Sequence, residues 1–457
     1  MIVTIVNVKF VDREEELNFL EKLCSGERAH LVIVYGRRRV GKTRLLLELL
    51  SRKPGLYFYI PLGGSDTVLA ELSRVVEGEL FRGFRFPDFS SFLEYVARKL
   101  EKGELVVLDE FQRLAEVEGA ISLLQKYWDE RFSRLRGTLV LSGSTVGVIE
   151  RVALRGDAPL YGRRTAVLKL EPLRFRALAD WFARYEPLDL VKTYGVFGGT
   201  PAYLELVDEG ESPEENAIKL VLSKRGPLHE EPLFLLLEEL RSPARYLDVL
   251  TAASQGKRTL SEIASAAGIP RENLTTYLAT LEQLGLIERE RPVLSKGRSL
   301  YSIRDPFFAF WFRFVHPNKS LLERGLEREL WASIAADFNA YLGWVFEKVA
   351  VEHVVSEARA GLLPFKLDTL GRWWTRGEEV DIVAASTREG VGALIEVKWA
   401  DLSYREARSA LRRLSEKGAQ VPLREKLHGL VSRKLERKEE LRKEGYLVYD
   451  LADIVER

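Results

Sequence analysis

The chain has 457 residues, enough for about three domains, and its 46% hydrophobic content supports packed cores. A net charge of +1 excludes a uniformly basic nucleic-acid coat, so any nucleic-acid surface has to be local. The single cysteine, Cys24, excludes an internal disulfide and a cysteine-rich zinc site, and no run reaches the ~18 apolar residues of a membrane span.

Residues 1–10 alternate in polarity and predict a strand. They lack the charged lead and small-residue cleavage site of a signal peptide. A cytoplasmic setting without a membrane partner is expected. Charged residues make up 30%, with one Met and one Cys, a composition that leans toward a thermophile.

Residues 36–43 read Gly36-Arg37-Arg38-Arg39-Val40-Gly41-Lys42-Thr43, the G-x-x-x-x-G-K-[ST] phosphate loop. An apolar run, Leu31 to Tyr35, precedes it, and a helical run, Arg44 to Leu50, follows. Strand, glycine-rich turn and helix is the context the motif needs. Gly36 and Gly41 let the backbone curl so that its N–H groups face phosphate oxygens, and the helix N-terminus adds partial positive charge. Residues 36–44 are thus the expected ATP cradle. Lys42 reaches the β- and γ-phosphates, and the Thr43 hydroxyl ligates Mg²⁺.

About 65 residues on, Leu105-Val106-Val107-Leu108-Asp109-Glu110 is a buried-strand pattern ending in two acids. Asp109 is expected to hold Mg²⁺ through water, and Glu110 to polarise the attacking water. A further strand, Thr138 to Leu141, runs into Ser142-Gly143-Ser144-Thr145. Ser144 is expected to sense the γ-phosphate, with Ser142 as the rival. Arg163 or Arg164 is placed to reach a phosphate in cis or from a neighbouring subunit, or else to form a solvated pair.

These residues resemble the AAA+-related archaeal ATPases of the STAND-like branch. Phe10-Val11-Asp12-Arg13-Glu14-Glu15-Glu16-Leu17 looks like that group's F-x-x-R-E-x-E-L box. The resemblance places Arg13 beside the adenine. Gly198-Gly199-Thr200-Pro201-Ala202-Tyr203-Leu204 looks like its G-G-x-P-x-Y-L element in a helical lid. The resemblance implies a parallel sheet flanked by helices over 1–172 and a lid over 173–238. Helical segments are predicted at 175–185, 187–196, 213–224 and 231–240, with Pro or Gly between them.

Residues 239–316 read as a winged helix. Helices are predicted at 244–253, 259–268 and 271–284, with Leu274, Leu278 and Leu281 on one face of the third, followed by two strands around Ser295-Lys296-Gly297-Arg298. The third helix offers Arg271, Asn273, Thr275, Thr276 and Tyr277. The wing carries Arg289, Arg291, Lys296 and Arg298 against Glu288 and Glu290. That modest basic bias suits phosphate contact without showing base readout. Packing or protein binding is the competing use of such a module. The aromatic run from Tyr301 to Val315 predicts a core helix joining two domains rather than a base-stacking platform.

In residues 325–457, Glu379-Val380-Asp381-Ile382-Val383 predicts a strand with an acid. Ala393 to Trp399 predicts a second strand with Glu396 and Lys398 on one face. Upstream, Glu347 lies on a helical run from Ala332 to Ser356. Helix acid, strand Asp, then Glu-x-Lys resembles the PD-(D/E)xK nuclease superfamily, although Val380 stands where its leading Pro would be. Asp381 and Glu396 suit one or two Mg²⁺ ions, Glu347 completes the shell, and Lys398 orients water or steadies charge. Ordinary half-exposed strands in a charge-rich chain are the competing reading. Residues 403–444 carry 13 Lys or Arg against 7 Asp or Glu, a surplus that could track a phosphate backbone.

The order of parts resembles archaeal ATPases that end in a domain of uncharacterised function with a PD-(D/E)xK-like core. The expected fold class is α/β multidomain: a P-loop AAA+-like parallel-sheet core, a helical lid, a winged helix and a C-terminal α/β restriction-endonuclease-like domain. The expected function couples an ATP-hydrolysing motor or switch to Mg²⁺-dependent cleavage of DNA. The alternative is a nucleotide-gated DNA-binding or regulatory switch with a non-cleaving C-terminal domain. ATP and Mg²⁺ are the expected cofactors. DNA and a second copy of the chain are the expected partners.

Overall fold

A computed structural model describes residues 9–240, 242–375 and 377–456. The strand expected over 1–10 therefore lies, but for its last two residues, outside the described residues. The chain divides into two compact units, Met1–Leu173 with Thr200–Glu205, and Arg174–Gly199 with Leu206–Arg457.

The first unit is built on five parallel strands. Helix α1 (Glu14–Cys24) leads into β1 (His30–Tyr35), and α2 (Lys42–Arg52) follows the phosphate loop. Next come β2 (Gly55–Tyr59), α3 (Phe89–Glu101), β3 (Leu105–Asp109), α4 (Ala120–Glu130), β4 (Thr138–Gly143) and β5 (Ala166–Lys169). The sheet order is β2-β3-β4-β1-β5, and every pairing is parallel. β3 and β4 are buried along their whole length, which is why they read as unbroken apolar runs.

Alternation sorts the strand residues onto two faces. Leu31, Ile33, Val106, Leu108, Leu139 and Leu141 pack with Phe58, Phe92, Phe111 and Phe132. Val32, Val34, Val107 and Val140 pack against Leu45, Leu46 and Leu49 of α2. Phe58 and Phe92 meet edge to face at 5.1 Å. Each such side chain contributes about 1.5–3 kcal/mol by leaving water. Register aligns Tyr35 with Gly143, and Asp109 with both Ser142 and Tyr59. The carboxyl ends of the four strands β1 to β4 therefore lie along one edge, where ligands of open parallel sheets bind.

The second unit begins with helical segments that include α5 (Pro187–Phe197). A helix-turn-helix follows: α6 (Ala244–Ser254), α7 (Leu260–Ala267) and α8 (Arg271–Gln283). Thr259 and Glu262 form a capping box at the start of α7, and Gly268 ends it at φ +61°. β6 (Ile287–Glu290) and β7 (Leu300–Ile303) pair antiparallel as a wing. The aromatic run is helical only from Pro306, since Tyr301 to Ile303 belong to β7. It forms α9 (Pro306–Phe310) and one wider turn to Val315, with Phe307, Phe308, Phe310, Trp311 and Phe312 fully buried.

Helix α10 (Glu327–Arg359) then leads into a mixed sheet. Its strands are β8 (Thr369–Trp374), β9 (Glu379–Ser386), β10 (Val391–Leu402), β11 (Glu425–Leu435) and β12 (Leu447–Tyr449), in the order β12-β11-β10-β9-β8. β8, β9 and β10 form an antiparallel meander. The crossover helix α11 (Tyr404–Gly418) makes the β10–β11 pairing parallel. Ala407, Ala410, Leu411 and Leu414 of α11 are buried, the i, i+3, i+4, i+7 stripe of a helix lying on a sheet.

The wing tip is pinned to this sheet. Val293 N–H donates to the Arg372 carbonyl at 3.0 Å. The Ser295 hydroxyl donates to the Trp374 carbonyl at 3.0 Å. Val293 and Leu294 pack on the cluster around Trp373 and Val380. The wing therefore has its tip held on β8, the packing use weighed for it, while Arg291, Lys296 and Arg298 remain exposed.

Candidate functional site

The phosphate loop closes between β1 and α2. Gly41 has φ +96°, a backbone that side chains rarely tolerate. At Gly36 a Cβ would lie 2.3 Å from the Leu170 carbonyl oxygen, so only glycine fits. Lys42 is buried, and its ammonium donates to the carbonyls of Gly36 at 2.8 Å and Arg37 at 3.1 Å. This holds the amine inside the curl of the loop. Arg13 donates to the Val40 carbonyl at 3.1 Å and the Glu171 carbonyl at 2.6 Å, which braces the loop from behind. Arg37 donates to the Thr200 hydroxyl at 3.0 Å. The Gly-Gly-Thr-Pro element, read in sequence as part of a lid, thus places Thr200 on the loop, and Thr200–Glu205 belong to the first unit. Arg38 and Arg39 are exposed on the loop. Arg44 turns to Glu48 at 2.9 Å and lies over the Phe10 ring at 5.2 Å.

The acids of β3 stand beside this loop. The Thr43 hydroxyl donates to Asp109 Oδ2 at 2.9 Å, and the Tyr57 hydroxyl donates to the same oxygen. Burial, then the Asp109 charge, pushes the Tyr57 phenol well above its ordinary range, so Tyr57 stays a donor. Thr43 and Asp109 together offer hard oxygens at the loop's mouth, a donor set that fits Mg²⁺ held with a nucleotide. Glu110 sits at φ +56°. Its carboxylate accepts from the Ser144 hydroxyl at 2.9 and 3.1 Å and from the Gln112 amide. Ser144 is therefore committed to Glu110. The rival Ser142 is fully buried at the end of β4, with its hydroxyl unpaired among the described residues.

Arg163 is not gathered here. Its guanidinium makes two 2.7 Å bonds to Asp129 and a third to the Pro159 carbonyl. Thr165, two residues on, donates its N–H to the Leu31 carbonyl near the start of β1. The phosphate loop leaves the other end of that strand, about 13 Å away at ~3.3 Å per residue. Action of Arg163 on its own loop is thus corrected by the direction of the sheet. Arg164 lies over the Tyr161 ring at 4.5 Å and donates to the Ala153 carbonyl.

A second polar site lies on the mixed sheet. Asp381 of β9 accepts from the Val397 N–H of β10 at 2.8 Å. Burial, then the Glu396 charge, pushes the Asp381 carboxyl up to about 6. Glu396 accepts from Lys398 at 2.6 Å on one oxygen and from Lys417 of α11 on the other. Burial would raise Glu396, but the two lysines hold it below its ordinary value. Glu347 of α10 accepts from Arg372, which also pairs with Glu379 and, at 3.4 Å, with Glu290 of β6.

Among the described residues no group of three or more Asp, Glu, His or Cys side chains is gathered to hold a metal ion. The expected shell of Glu347, Asp381 and Glu396 is therefore not assembled; Glu347 pairs with Arg372, although its charge still acts on Asp381. The two remaining carboxylates still fit one divalent ion. Part of the basic charge of 403–444 is paired: Arg433 with Asp401, Arg437 with Glu440, Lys438 with Asp450, and Arg442 with Asp453.

Comparison with known proteins follows this geometry. Residues 10–207 match a family described as an ATPase domain predominantly from Archaea. Residues 242–291 match the IclR helix-turn-helix domain, and residues 311–410 match Archaea bacterial proteins of unknown function. An uncharacterized protein of Methanocaldococcus jannaschii is 35% identical over 454 residues, covering 97% of this chain and 99% of the relative. The chain belongs to this family of archaeal ATPases. An uncharacterized ATP-binding protein of the same organism is 54% identical over 46 residues, 10% of this chain and 78% of that protein. The Walker-type ATPase PABY2304 of Pyrococcus abyssi superposes with a TM-score of 0.52 at 21% identity, over 68% of this chain and 100% of that one. That likeness is one of fold.

This archaeal ATPase carries functional neighbours that no motif signalled. Tyr57 and Lys417 lie on separate elements from their partners and meet Asp109 and Glu396 only through folding, whereas Gln112 reaches Glu110 from two residues away. Thr200 lay inside a recognised element, but its partner Arg37 is 163 residues away. No helix among the described residues is long and apolar enough to cross a membrane.

Proposed function

We propose that the ATPase unit drives or gates an activity on nucleic acid carried by the second unit, and that the Asp381–Glu396–Lys398 site cleaves phosphodiester bonds with a divalent cation. The observation that carries this reading is the pair of carboxylates on antiparallel β9 and β10, close enough for Glu396 to raise Asp381, with Lys398 on the same face as Glu396. The order helix, three antiparallel strands, helix, parallel strand supports a nuclease-like domain. The IclR-type helix-turn-helix supports DNA as the nucleic acid. Its third helix exposes Arg271, Asn273, Thr275 and Thr276, groups suited to phosphate and groove contact.

In the first unit, Lys42 and the loop N–H groups bind nucleotide phosphates, Thr43 and Asp109 hold Mg²⁺, and Glu110 orients the attacking water. In the second, divalent-cation chemistry is charge withdrawal from phosphorus and activation of water near neutral pH. Asp381 and Glu396 hold the ion there, and Lys398 stabilises developing charge. A basic side chain from a second copy remains the proposed source of a phosphate-reaching arginine. The test is to measure Mg²⁺-dependent cleavage of labelled DNA with and without ATP, using wild type and Lys42→Ala. ATP-stimulated cutting by wild type, lost in Lys42→Ala, supports the coupling. Equal cutting by both proteins, with or without ATP, removes it.

One observation favours a second reading. Glu347 and Glu396 are satisfied by Arg372, Lys398 and Lys417 with no ion. A domain so neutralised could bind nucleic acid without cutting it, and ATP would then switch affinity alone.

A further inference from the structure

Lys417 is absent from every motif in the chain, yet it reaches the centre of the C-terminal site. It comes from the last turn of α11, while Lys398 comes from β10, and the two ammonium groups bracket the Glu396 carboxylate from opposite elements. The two ammonium groups share one carboxylate, with Asp381 as the neighbouring acid, so the Lys417 charge is held in a half-buried place. The Glu396 side chain is 12% exposed and Lys417 20%. A charge is kept there only if something repays its lost water.

A cleft of about 340 Å³ opens on this trio, between β10 and α11. Arg413 also lines it, one turn before Lys417 on the same helix face, with Cβ atoms about 5–6 Å apart. Glu378 and Glu416 line it as well, so the cleft is not uniformly basic. That mixture suits an anion that arrives with a cation. A metal ion shared by Asp381 and Glu396 would take the carboxylate on which both lysines now rest. Their ammonium groups would then need a new acceptor within the cleft. A phosphodiester supplies two non-bridging oxygens for that role.

We infer that Lys417 is a second lysine of this site, and that with Lys398 and Arg413 it forms a binding cleft for a metal-accompanied phosphodiester. The inference rests on the reading of Asp381 and Glu396 as a phosphodiester site. It adds a residue, a location and a cation requirement to that reading. Lys417 is assigned as a positioning and binding residue, placed on the opposite wall from Lys398.

The test uses the full chain and a labelled DNA oligonucleotide, with binding followed by fluorescence anisotropy across a salt series. Ca²⁺, which seeks the same oxygen ligands, or EDTA is present. Wild type is compared with Lys417→Met, which keeps the apolar stem, and with Lys417→Arg. The expected result is that Lys417→Met weakens Ca²⁺-dependent binding roughly tenfold and lowers the salt slope by about one. Lys417→Arg is expected to restore both, and the EDTA series to show no difference between variants. Thermal melting checks that each variant is folded. If wild type binds and Lys417→Met binds with equal affinity and slope, this inference is wrong while the broader reading stands. If wild type binds no DNA with or without Ca²⁺, the broader reading fails and the assigned ligand fails with it.

Discussion

Val293 in the wing and Arg372 in the mixed sheet are joined by a main-chain hydrogen bond of 3.0 Å. The same Arg372 bonds Glu347 with one nitrogen and faces Glu290 of the wing strand with another. Burial would lower the Arg372 pKa, but Glu347, Glu290 and Glu379 raise it overall, so the guanidinium stays charged. Wing, sheet and helix α10 thus share one half-buried cation.

The wing is therefore expected to melt with the sheet. Val293→Asp places a carboxylate against the cluster around Trp373 and Val380 and should cost about 2 kcal/mol. Hydrogen exchange at 369–374 should accelerate in this variant. Unchanged protection there, in a folded protein, would mean that the contact contributes nothing to holding the wing.

Glu110→Gln should keep nucleotide binding and lose roughly 10²–10³-fold in ATP hydrolysis, since the amide cannot accept a proton from water. Lys42→Ala should instead lose binding, because the buried ammonium is the loop's fixed cation. Equilibrium binding of a fluorescent ATP analogue beside steady-state hydrolysis separates the two. Equal loss of binding in both variants would contradict the roles assigned.

Arg163→Ala should leave hydrolysis by the isolated chain within about twofold. It should cost no more than about 1 kcal/mol of stability, the usual worth of a partly exposed pair. A tenfold or greater fall in hydrolysis that depends on protein concentration would place Arg163 at a neighbour's nucleotide. The same fall at all concentrations would overturn its removal from its own loop.

Asp381 makes stability depend on pH in a stated direction. Its carboxyl rises from 3.8 to about 6 on folding. Between those values the folded state binds more protons than the unfolded state, so stability falls as pH rises through the window. Above about pH 6 the ionised group costs up to about 2–3 kcal/mol. Asp381→Asn should therefore raise the melting temperature at pH 8 and change it little near pH 4. A stabilisation that is the same at both pH values would refute the electrostatic cause. A divalent ion that binds at Asp381 should also compete with protons below about pH 6.

The ATPase core was legible because its chemistry is local in sequence. Gly36 to Thr43 form one turn, and Asp109-Glu110 end one strand, so spacing alone brings both acids to the sheet edge. The helix-turn-helix was legible from its leucine stripe and the Gly268 stop. Arg163 lies between β4 and β5, and its place in sequence says nothing about which end of the sheet it occupies. The contact of Ser144 with Glu110 was not legible, since the two lie 34 residues apart. In the C-terminal site the strand residues were legible from alternation. The capture of Glu347 by Arg372 was not, because the two lie 25 residues apart on a helix and a strand. Lys417 was hidden among the other cations of 403–444, and only the packing of α11 on β10 singles it out.

The account's central claim is tested most directly by incubating wild type and Glu396→Ala, side by side, with labelled single-stranded, duplex and branched DNA in Mg²⁺ and ATP. The account predicts that wild type cuts at least one of these substrates, and that Glu396→Ala cuts none while still hydrolysing ATP. Wild type that binds DNA and hydrolyses ATP but leaves every strand intact would contradict cleavage and leave the domain as an ATP-switched binding platform.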